Sequence, residues 1–497
     1  MMNLLKLFKR NLVKFAQFSI FNFQFSILIL FFLLITSCAS ESVSTGSISG
    51  SVTLENHEDA SGTYIAVYDL SVLDPVVVEA NEKWPQIGVI INQQTEFDHR
   101  LQEPISNTLS DATGLYKLND IPTGEYNIVF YKAGWGFRYI YNFQVDKGEN
   151  QVDEVILYEE TLLEGDISTD IIMQDAHHYI IEDNANIVPG AKLTIDPGAV
   201  VRINPGKSLN IWGEIEAQGT EGNLFWITSN DGFDEFSTKY DPEEIERYNQ
   251  VMLEENIIIT NDMISYGRFD FGTFALSSTG NYFRNNNCVY KYSNCGLQAM
   301  DEDSCFASNC NFSNITGSNG GLFFEFILGG KVEKLISVNN EIGLRLKDRF
   351  DGIVENNYLA YNTFGIEGVH FTGIIQHNEL SSNFDCDIHI AGTWCNVNEP
   401  MEIYYNNFNS VTGILRFSLY SYEACRINNI NFNNFRNNNY FIFCDSGDSY
   451  VDATHNYFNG LNSEAAIREK VSDFNTDIEI YDISGFFTVK VDDCGIQ

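Results

Sequence analysis

Positive charge is the scarcest feature of this chain of 497 residues, in which 29 Lys and Arg stand against 68 Asp and Glu. The formal net charge is −39. Because a phosphate backbone is bound through a basic face, this balance argues against nucleic acid as a partner. It also argues against docking on anionic lipid through basic patches. The acidic excess fits a soluble exported protein and leaves calcium as the one cofactor to consider.

Long hydrophobic runs are also missing, because nothing after residue 37 is apolar for long enough to span a bilayer. Residues 1–37 differ from the rest. An apolar run from Phe25 to Ile35 follows a segment that carries four cations and no acid, which is the pattern of an export signal. The alternative is an uncleaved membrane anchor, for which the run is short. The four cations are Lys6, Lys9, Arg10 and Lys14.

The end of this segment, Ile35-Thr36-Ser37-Cys38, resembles the lipobox of bacterial lipoproteins. The resemblance implies a diacylglycerol on the Cys38 sulfur, cleavage after residue 37, and a lipid-anchored protein of the outer membrane, with the membrane face left open. Several acyl chains make a stable anchor where one would be marginal. Residues 38–45 are then a short polar tether. The mature chain would carry a charge of −43 (25 minus 68), since residues 1–37 contain four basic residues and no acidic ones.

Cysteine is absent between Cys38 and Cys288, and no Cys-x-x-Cys motif occurs, so the usual zinc frames are missing. Ten cysteines occur, which leaves nine beyond Cys38. An exported protein can form disulfides, and an odd number leaves at least one thiol over. The alternative is that several cysteines are small buried apolar residues. The pairs expected to be within reach are Cys288 with Cys310, Cys386 with Cys395, and Cys425 with Cys444.

Residues 46–158 alternate apolar and polar positions in short stretches separated by turn residues. This period of two predicts antiparallel strands and a small β-sandwich. The motif Asp-x-x-Gly-x-Tyr-x-Leu at 111–118 and the turn Ile-Pro-Thr-Gly-Glu-Tyr at 121–126 resemble the carboxypeptidase regulatory-like, prealbumin-type domain. That resemblance implies a non-catalytic spacer. Residues 69–109 are longer and more polar than that domain needs, and the isolated His57 and His99 are expected at the surface.

Residues 165–460 show a different repeat. Pro-Gly pairs start at 189, 197 and 205, where they suit the two central positions of type II turns. Further on, Asn followed by a large apolar or acidic residue recurs at spacings of 17 to 29 residues. A period that varies in this way is typical of a solenoid with loops of variable length. The recurring residues are Asn311, Asn340, Asn357, Asn378, Asn407, Asn431 and Asn456.

This repeat resembles right-handed parallel β-helix proteins, so the whole chain is predicted to be all-β. Each coil cannot bury its own apolar face, so coils stack, and Asn can both adopt the left-handed turn and stack its amide along the axis. We expect about ten coils of about 25 residues in a rod ~50 Å long. An insertion at 231–265, with a helix beginning at Pro242, interrupts the coils. Residues 461–497 resemble a terminal cap, although Phe458 and Asn459 depart from the usual Asn-Tyr-Trp-Gly.

Polysaccharide lyases and hydrolases occur among β-helix proteins, so charged side chains are the candidate site residues. The densest basic stretch is 331–349, where alternation places Arg345 and Lys347 on one outward face. They could neutralise a uronate, although such alternation is more often a solvated strand face. The polygalacturonase motif set and the Gly-Gly-x-Gly-x-Asp calcium frame are absent. The candidate ligands for a calcium ion are the carboxylates of Asp301, Asp303, Asp445 and Asp448.

Histidines and aromatic residues are two further groups of candidates for a ligand surface. The histidines His370, His377 and His389 fall on neighbouring coils. Aromatic residues able to stack on sugar rings are Trp394, Tyr404, Tyr420 and Tyr422. The sequence therefore predicts a cell-envelope lipoprotein whose rod binds a polysaccharide or a surface protein without catalysis. A lyase or hydrolase acting on uronate-containing glycans and a purely structural envelope protein are the alternatives.

Overall fold

The structure is a computed structural model, and strands dominate it, so the predicted all-β class is confirmed. No helix within the described ranges is long and apolar enough to cross a membrane. The predicted export signal and Cys38 lie outside the ranges that the structure describes. The described residues are 44–231, 249–253, 264–279, 282–300, 304–392, 401–410, 415–419, 426–427, 429–436, 442–444, 450–469, 471–473 and 481–497.

Two four-stranded sheets form the N-terminal part and enclose one core, as expected for a β-sandwich. Val52 and Leu118 of the first sheet and Ile65 and Phe130 of the second belong to this core. The first sheet consists of Thr45–Leu54, Leu115–Pro122, Gly148–Gln151 and Val155–Leu157. The second sheet is antiparallel and consists of Tyr64–Asp69, Ser106–Leu109, Gly124–Lys132 and Gly136–Val145.

Residues 70–105, which we call the docking insertion, connect two neighbouring strands of the second sheet. They hold the helices Pro75–Lys83 and Gln93–Glu96 and the 3-10 turn His99–Leu101. The first helix begins where Asp74 accepts a hydrogen bond from the Val76 N–H at 2.8 Å, which satisfies one of the free donors of the first turn. The extra residues that the sequence showed in this range therefore form short helices.

From Thr161 onward the chain forms a parallel β-helix of about ten turns, in agreement with the expected number. Each turn contributes a strand to three parallel sheets in a fixed order, which we call sheets 1, 2 and 3. Sheet 1 consists of Ile171–Met173, Lys192–Ile195, Glu214–Gln218, Ile264–Ser265, Tyr282–Asn286, Ser304–Ser308, Gly330–Glu333, Ile353–Glu355, Ile374–Gln376, Glu402–Tyr404 and Ile430–Asn431. A short parallel sheet near its last strand consists of Arg426–Ile427, Tyr450–Asp452 and Tyr481–Asp482.

The other two sheets share the long strand His178–Ile187, whose two halves pair with different strands. Sheet 2 continues with Val200–Ile203, Phe225–Ser229, Gly267–Asp270, Val289–Lys291, Asn311–Ser313, Ile336–Val338, Tyr358–Ala360, Glu379–Ser381, Asn407–Asn409, Asn434–Phe435 and Tyr457–Phe458. Sheet 3 consists of Thr161–Ile167 and then Ser208–Ile211, Asn249–Leu253, Gly272–Thr279, Cys295–Met300, Gly320–Glu325, Ile342–Lys347, Phe364–Val369, Cys386–Gly392, Leu415–Leu419, Ile442–Cys444 and Val471–Asp473. A helix, Glu464–Arg468, precedes the last of these strands.

The first coils turn at the predicted Pro-Gly pairs. Gly190, Gly198 and Gly206 have φ angles of 93°, 80° and 74°, the left-handed region that the third residue of a type II turn requires. Each turn closes with a backbone hydrogen bond three residues on, for example from Ala191 N to Val188 O at 3.0 Å. The predicted type II turns are therefore confirmed.

An asparagine ladder lies inside the corner between sheets 1 and 2. Asn357 Nδ2 donates to Asn378 Oδ1 at 2.9 Å, and Asn378 Nδ2 donates in turn to Asn406 Oδ1 at 3.0 Å. Asn433 and Asn456 continue the row, and all five side chains are fully buried. The residue before each one has a positive φ and makes the turn. Of the seven predicted positions, three belong to this ladder, and Asn406 and Asn433 replace two others. The remaining two lie elsewhere, since the Asn311 side chain bonds to Val89 of the docking insertion and the Asn340 N–H donates to Asn362 Oδ1.

The predicted insertion at 231–265 is not one continuous excursion. Asn249–Leu253 is a strand of sheet 3 and pairs in register with Ser208–Ile211. Ile264–Ser265 already belongs to the next strand of sheet 1. The sequence did not predict these strands because segments of five and of two residues are too short to show an alternation of apolar and polar positions. The helix expected from Pro242 lies outside the described residues.

Charged side chains fill the contact between the docking insertion and the first coils. Arg100 Nη2 donates to Asp98 Oδ2 at 2.7 Å, and both side chains are completely buried. Arg100 Nη1 also donates to Ser229 O and Asp231 O, at 2.9 Å each, so the pair ties the insertion to sheet 2. Burial would raise the pKa of Asp98, but the Arg100 guanidinium outweighs it and holds that pKa well below its usual range.

The rod contributes its own cations to the same contact. Arg268 Nε donates to Asp270 Oδ2 at 2.7 Å, while its Nη1 donates to Phe97 O of the insertion at 2.7 Å. Lys291 Nζ donates to Thr95 O, and burial lowers the pKa of this lysine. Outward side chains of sheet 2 that would otherwise meet water are thus enclosed between the two parts of the chain.

His99 is buried in this contact, with 3% of its surface exposed, so the expectation of a surface histidine is wrong. Its Nδ1 lies 2.6 Å from the Tyr139 hydroxyl. Burial lowers the pKa of His99 to about 3, which keeps the imidazole neutral. A lone histidine in a polar stretch predicts exposure only while the stretch faces water, and here His99 packs against Tyr68, Phe137 and Tyr139 of the second sheet. His57 is exposed, as expected.

The C-terminal segment runs back along the rod towards the docking insertion. Asn434 and Val491 exchange two hydrogen bonds of 2.9 Å, and Gly495 N donates to Tyr405 O at 2.8 Å. Ile496 then packs against the apolar cluster that joins the helix Pro75–Lys83 to sheet 2. The last residues of the chain therefore reach the same contact that the N-terminal part makes with the rod.

Candidate functional site

The outward face of sheet 3 carries the basic residues that the sequence singled out. Parallel pairing in register places Phe323, Arg345, Glu367 and His389 directly above one another on successive coils. Glu325 and Lys347 form a second row beside the first. Arg345 and Lys347 are on one face, partly exposed, as the alternation predicted.

Arg345 is paired with an acid from the next coil. Its Nε lies 2.9 Å from Glu367 Oε2, and its Nη1 donates to Ser318 O at 2.6 Å. His389 Nδ1 lies 3.8 Å from the other oxygen of Glu367. Burial raises the pKa of Glu367, but His389 and Arg345 together outweigh it and hold the pKa below its ordinary value. Glu367 is therefore ionised at neutral pH and neutralises the guanidinium.

Lys347 is also neutralised. Its Nζ lies 2.6 Å from Glu325 Oε1 and 3.2 Å from Asp348 Oδ2. The hydrogen bond to Glu325 raises the pKa of Lys347, so the amine stays protonated at neutral pH. His370 Nδ1 lies 3.3 Å from Asp348 Oδ1 and extends the network by one coil. The basic stretch thus gives ion pairs between coils.

The same arrangement occurs on the outward face of sheet 1. Lys331 Nζ lies 2.6 Å from Glu333 Oε2 and 2.8 Å from Glu355 Oε1. These acids raise the pKa of Lys331 although burial opposes the shift. Cross-coil pairing of basic and acidic side chains is therefore a general feature of this part of the rod.

No protein family, curated protein or solved structure matches this chain. The geometry of the described residues is therefore the basis for any assignment of function.

The three predicted histidines do not form one site. His370 and His389 belong to the sheet 3 network, while His377 lies at the corner between sheets 1 and 2. There its ring stacks on Tyr405 with 5.2 Å between centroids and 4° between planes. Phe432 and His455 continue the stack. Each ring covers its neighbour's face, so the stack stabilises the corner and offers mainly ring edges to a ligand.

Several predicted residues fall outside the described part of the chain. Tyr404 is described and lies half-buried on the outward face of sheet 1, with its ring edge-on to Tyr405. No group of three or more potential metal ligands occurs among the described residues. The predicted residues outside the described ranges are the calcium candidates Asp301, Asp303, Asp445 and Asp448, the aromatic candidates Trp394, Tyr420 and Tyr422, and the cysteines Cys395 and Cys425. The side chain of Cys444 is not described either.

Cys288 and Cys310 occupy the asparagine-ladder position in two earlier coils. Each follows a left-handed Asn, as Asn357 does. Both are buried free thiols: Cys310 Sγ donates to Asn285 Oδ1 at 3.0 Å, and Cys288 Sγ donates to Asn286 O at 3.3 Å. Burial raises the pKa of Cys310 well above its ordinary value. The disulfide between them stays a prediction, as does the pairing of Cys386.

The sequence reasoning missed the charged contact between the docking insertion and sheet 2. A signal for it exists in the strands Val200–Ile203 and Phe225–Ser229, which do not alternate between apolar and polar residues. Runs of this kind indicate a sheet buried on both faces. Arg202 lies on such a strand, so its burial could have been anticipated, whereas the short strands that carry Arg268 and Lys291 give no such signal.

Proposed function

We propose that this chain is a lipid-anchored cell-envelope protein whose β-helix binds an extended glycan without catalysis. In this proposal the lipobox at Cys38 supplies the anchor, and the N-terminal sandwich serves as a prealbumin-type spacer. The observation that carries the proposal is the outward face of sheet 3, where the cations that could have been catalytic are paired with acids from neighbouring coils.

A lyase needs a base that can lose its proton near neutral pH, and a general base works best when its pKa is close to the working pH. The pKa of Lys347 is shifted in the opposite direction by Glu325. Arg345 is held by Glu367 at 2.9 Å and would have to break that ion pair to meet a uronate. These contacts favour a binding role over catalysis for this face.

The regularity of the face suits a regular ligand. Arg345, Glu367 and His389 lie in one register row along the rod and are partly exposed, while Ser277, Gln298 and Phe323 hold the same row on earlier coils and are buried. Successive coils are ~4.8 Å apart, so donors and acceptors recur at short equal intervals. Solenoids use such extended surfaces for binding. A polymer with a repeating set of hydroxyl groups can pair with many of these positions at once.

The test measures retention of neutral and uronate polysaccharides by the full chain in mild detergent, together with an assay for new chain ends. The double variant Arg345→Gln with Glu367→Gln removes one charge of each sign from sheet 3. We expect retention of the glycan to fall several-fold, since the variant replaces charge-assisted hydrogen bonds by neutral ones that are roughly half as strong. The matched control, Lys331→Gln with Glu355→Gln, makes the same change on sheet 1 and should keep the wild-type retention.

Three results would contradict the proposal. New chain ends from any polysaccharide would make the protein an enzyme. An equal fall in retention for the double variant and for its control would show that binding does not depend on the sheet 3 face. Retention of no glycan across a broad panel would refute glycan binding altogether and favour a structural role in the envelope.

A further inference from the structure

A small cleft opens where the sandwich meets the first coils of the rod, away from the sheet 3 face. Its volume is about 120 Å³. Pockets for drug-sized ligands start at ~300 Å³, so this cleft has room for one small group rather than a polymer. Domain contacts are a common place for ligand sites. The residues used below, Gln94, Arg138, Asp175, His178, Asn223 and Arg268, all line it.

The cleft offers two guanidinium groups in a chain with few cations. Arg268 is 2% exposed and is held by Asp270 and by two carbonyls of the docking insertion, yet its Nη2 has no hydrogen-bond partner among the described residues. Arg138 is partly exposed, and no hydrogen bond or ion pair to its guanidinium occurs in the described part of the chain. Arg268 therefore provides a fixed donor and Arg138 an uncompensated positive charge, the combination that binds a carboxylate.

Hydrogen-bond acceptors line the same cleft. Gln94 donates through Nε2 to Gly222 O at 2.7 Å, which leaves its buried Oε1 without a donor among the described residues. His178 Nε2 lies 2.7 Å from Phe137 O and 3.2 Å from Phe137 N. The closer carbonyl can only accept, so Nε2 carries the proton and the buried, unpartnered Nδ1 is a second acceptor. Burial lowers the pKa of His178 well below its ordinary value and keeps the ring neutral.

A third acceptor lies near the cleft opening. Asp175 is exposed, and its Oδ1 accepts a hydrogen bond from Asn223 Nδ2 at 3.2 Å. A carboxylate there would repel a simple inorganic anion but can accept from a hydroxyl group. Gly198 is required at this point, because a Cβ on it would lie 2.0 Å from Asp175 Oδ1. Tyr139, Tyr141 and Trp226 add aromatic surface to the lining.

We infer that this cleft binds a small carboxylate that also carries ring hydroxyls, namely a single acidic sugar residue. The carboxylate meets Arg138 and the hydroxyls donate to Asp175, and small shifts of the lining side chains bring the buried Arg268 Nη2, Gln94 Oε1 and His178 Nδ1 into the same contacts. As a site for one uronate residue, the cleft deepens the proposed glycan-binding function and rests on it for its biological ligand. Ordered water is the alternative hydrogen-bond partner for the three buried atoms Arg268 Nη2, Gln94 Oε1 and His178 Nδ1.

Isothermal titration of the full chain in mild detergent tests this inference with glucuronate as the probe. Glucose lacks the carboxylate and acetate lacks the ring, so each should bind at least about tenfold more weakly than glucuronate. Arg138→Gln should weaken glucuronate binding by about tenfold or more. The matched control Arg349→Gln removes the same charge from an exposed site outside the cleft and should bind like the wild type.

A second variant blocks the cleft without changing charge. Asn223→Trp places a large ring near the opening and should abolish glucuronate binding. Melting temperatures without ligand, equal to that of the wild type, show that both variants are folded. No saturable glucuronate binding at millimolar concentration would overturn the inference, as would unchanged binding in both cleft variants.

Polysaccharide retention by the same variants separates this inference from the proposed function. If the wild type and both cleft variants retain a glycan equally and glucuronate does not bind, the cleft inference fails and the proposed function stands. If glucuronate binds through the cleft but no polysaccharide is retained, the cleft is a site for a free acidic sugar and the proposal of an extended glycan fails.

Discussion

A buried asparagine amide must satisfy two donors and an acceptor, and the ladder at the corner does so with its own neighbours. Asn378 Nδ2 donates to Asn406 Oδ1 and to Val354 O, while its Oδ1 accepts from Asn357 Nδ2. The backbone N–H of Asn357 donates to the same oxygen at 3.0 Å. Each side chain therefore closes the hydrogen bonds of two turns, which makes the row cooperative along the rod.

Removing one member should be costly. Asn378→Ala leaves buried donors and acceptors of Asn357 and Asn406 unpaired, at ~1–3 kcal/mol for each group left without a partner. We predict that the free energy of unfolding falls by about 3 kcal/mol in urea titrations. The control Asn462→Ala changes an exposed loop residue and should stay within about 0.5 kcal/mol of the wild type. Equal effects would mean that the ladder adds no stability.

Asp387 is buried on sheet 3, and this makes stability depend on pH. Burial raises its pKa from 3.8 to about 6, although Ser410 and Asn383 donate to Oδ1. The folded state therefore binds the extra proton between these pH values. Stability from this group is complete below about pH 4, falls as the pH rises to about 6, and is lost above that.

We predict that Asp387→Asn removes this fall. The change in unfolding free energy between pH 4 and pH 7 should differ from that of the wild type by about 3 kcal/mol, from two pKa units at about 1.4 kcal/mol each. The difference between the two proteins is the readout, because His99 acts with the opposite sign. Its pKa is depressed from 6.5 to about 3, so its contribution is lost as the pH falls. Parallel curves for both proteins would refute the prediction.

At the scale of single residues, the sequence predicted that buried asparagines would stack along the rod, but not always which asparagine of a run would do so. The runs Tyr405–Asn409 and Asn431–Asn434 hold several asparagines in a row, so the pattern chose Asn407 and Asn431 where the ladder uses Asn406 and Asn433. A shift of one residue turns a side chain to the other face of a strand. Only the neighbouring coils decide which asparagine points inward.

At the scale of elements, the docking insertion decides how the sandwich meets the rod. Its helix Pro75–Lys83 packs on Ile336 and Val338 of sheet 2, and Trp84 contacts Tyr358 at 5.2 Å between ring centroids. The sequence identified the insertion as excess length but did not predict its docking. Such contacts join residues more than 200 positions apart, for example Val89 with Asn311, and local periodicity carries no information on them.

We predict that Arg100→Met weakens this contact strongly. Removing one partner of a buried ion pair leaves Asp98 charged and unpaired, at ~3–5 kcal/mol. We expect calorimetry to show one unfolding transition in the wild type and two in the variant, because the contact that couples the sandwich to the rod is weakened. Arg349→Met, an exposed change, should keep one transition. One unshifted transition in Arg100→Met would show that the pair does not couple the two parts.

At the scale of the whole molecule, the rod could be predicted and the site could not. Stacking of coils follows from a repeat in which each unit is too small to bury its own apolar face, so the variable Asn spacing sufficed. The inward residues form one continuous core from Leu163 to Ile483. A cleft between two folded parts depends instead on how they meet, which is why Arg138 and His178 gave no signal in the sequence.

The proposed lipid anchor belongs to the scale of the whole molecule and has its own test. We predict that Cys38→Ser abolishes incorporation of labelled fatty acid and moves the protein from the membrane to the soluble fraction, since the acyl chains provide the anchor. Intact-protein mass spectrometry measures the modification. Cys494→Ser is the control because that thiol lies in the folded C-terminal segment. Label retained on Cys38→Ser would show that the resemblance to a lipobox is misleading.

Ile496 and Gln497 contact the docking insertion, so this contact forms late in synthesis. Gln86 Nε2 donates to Gln497 O at 3.4 Å, across 411 positions of sequence. This contact cannot form until Gln497 has left the ribosome, or the export channel if the chain is secreted. Ile496 covers part of the apolar cluster around Val77 only at that moment. A copy truncated anywhere in the rod would keep that surface in water, and exposed apolar surface of this kind promotes aggregation.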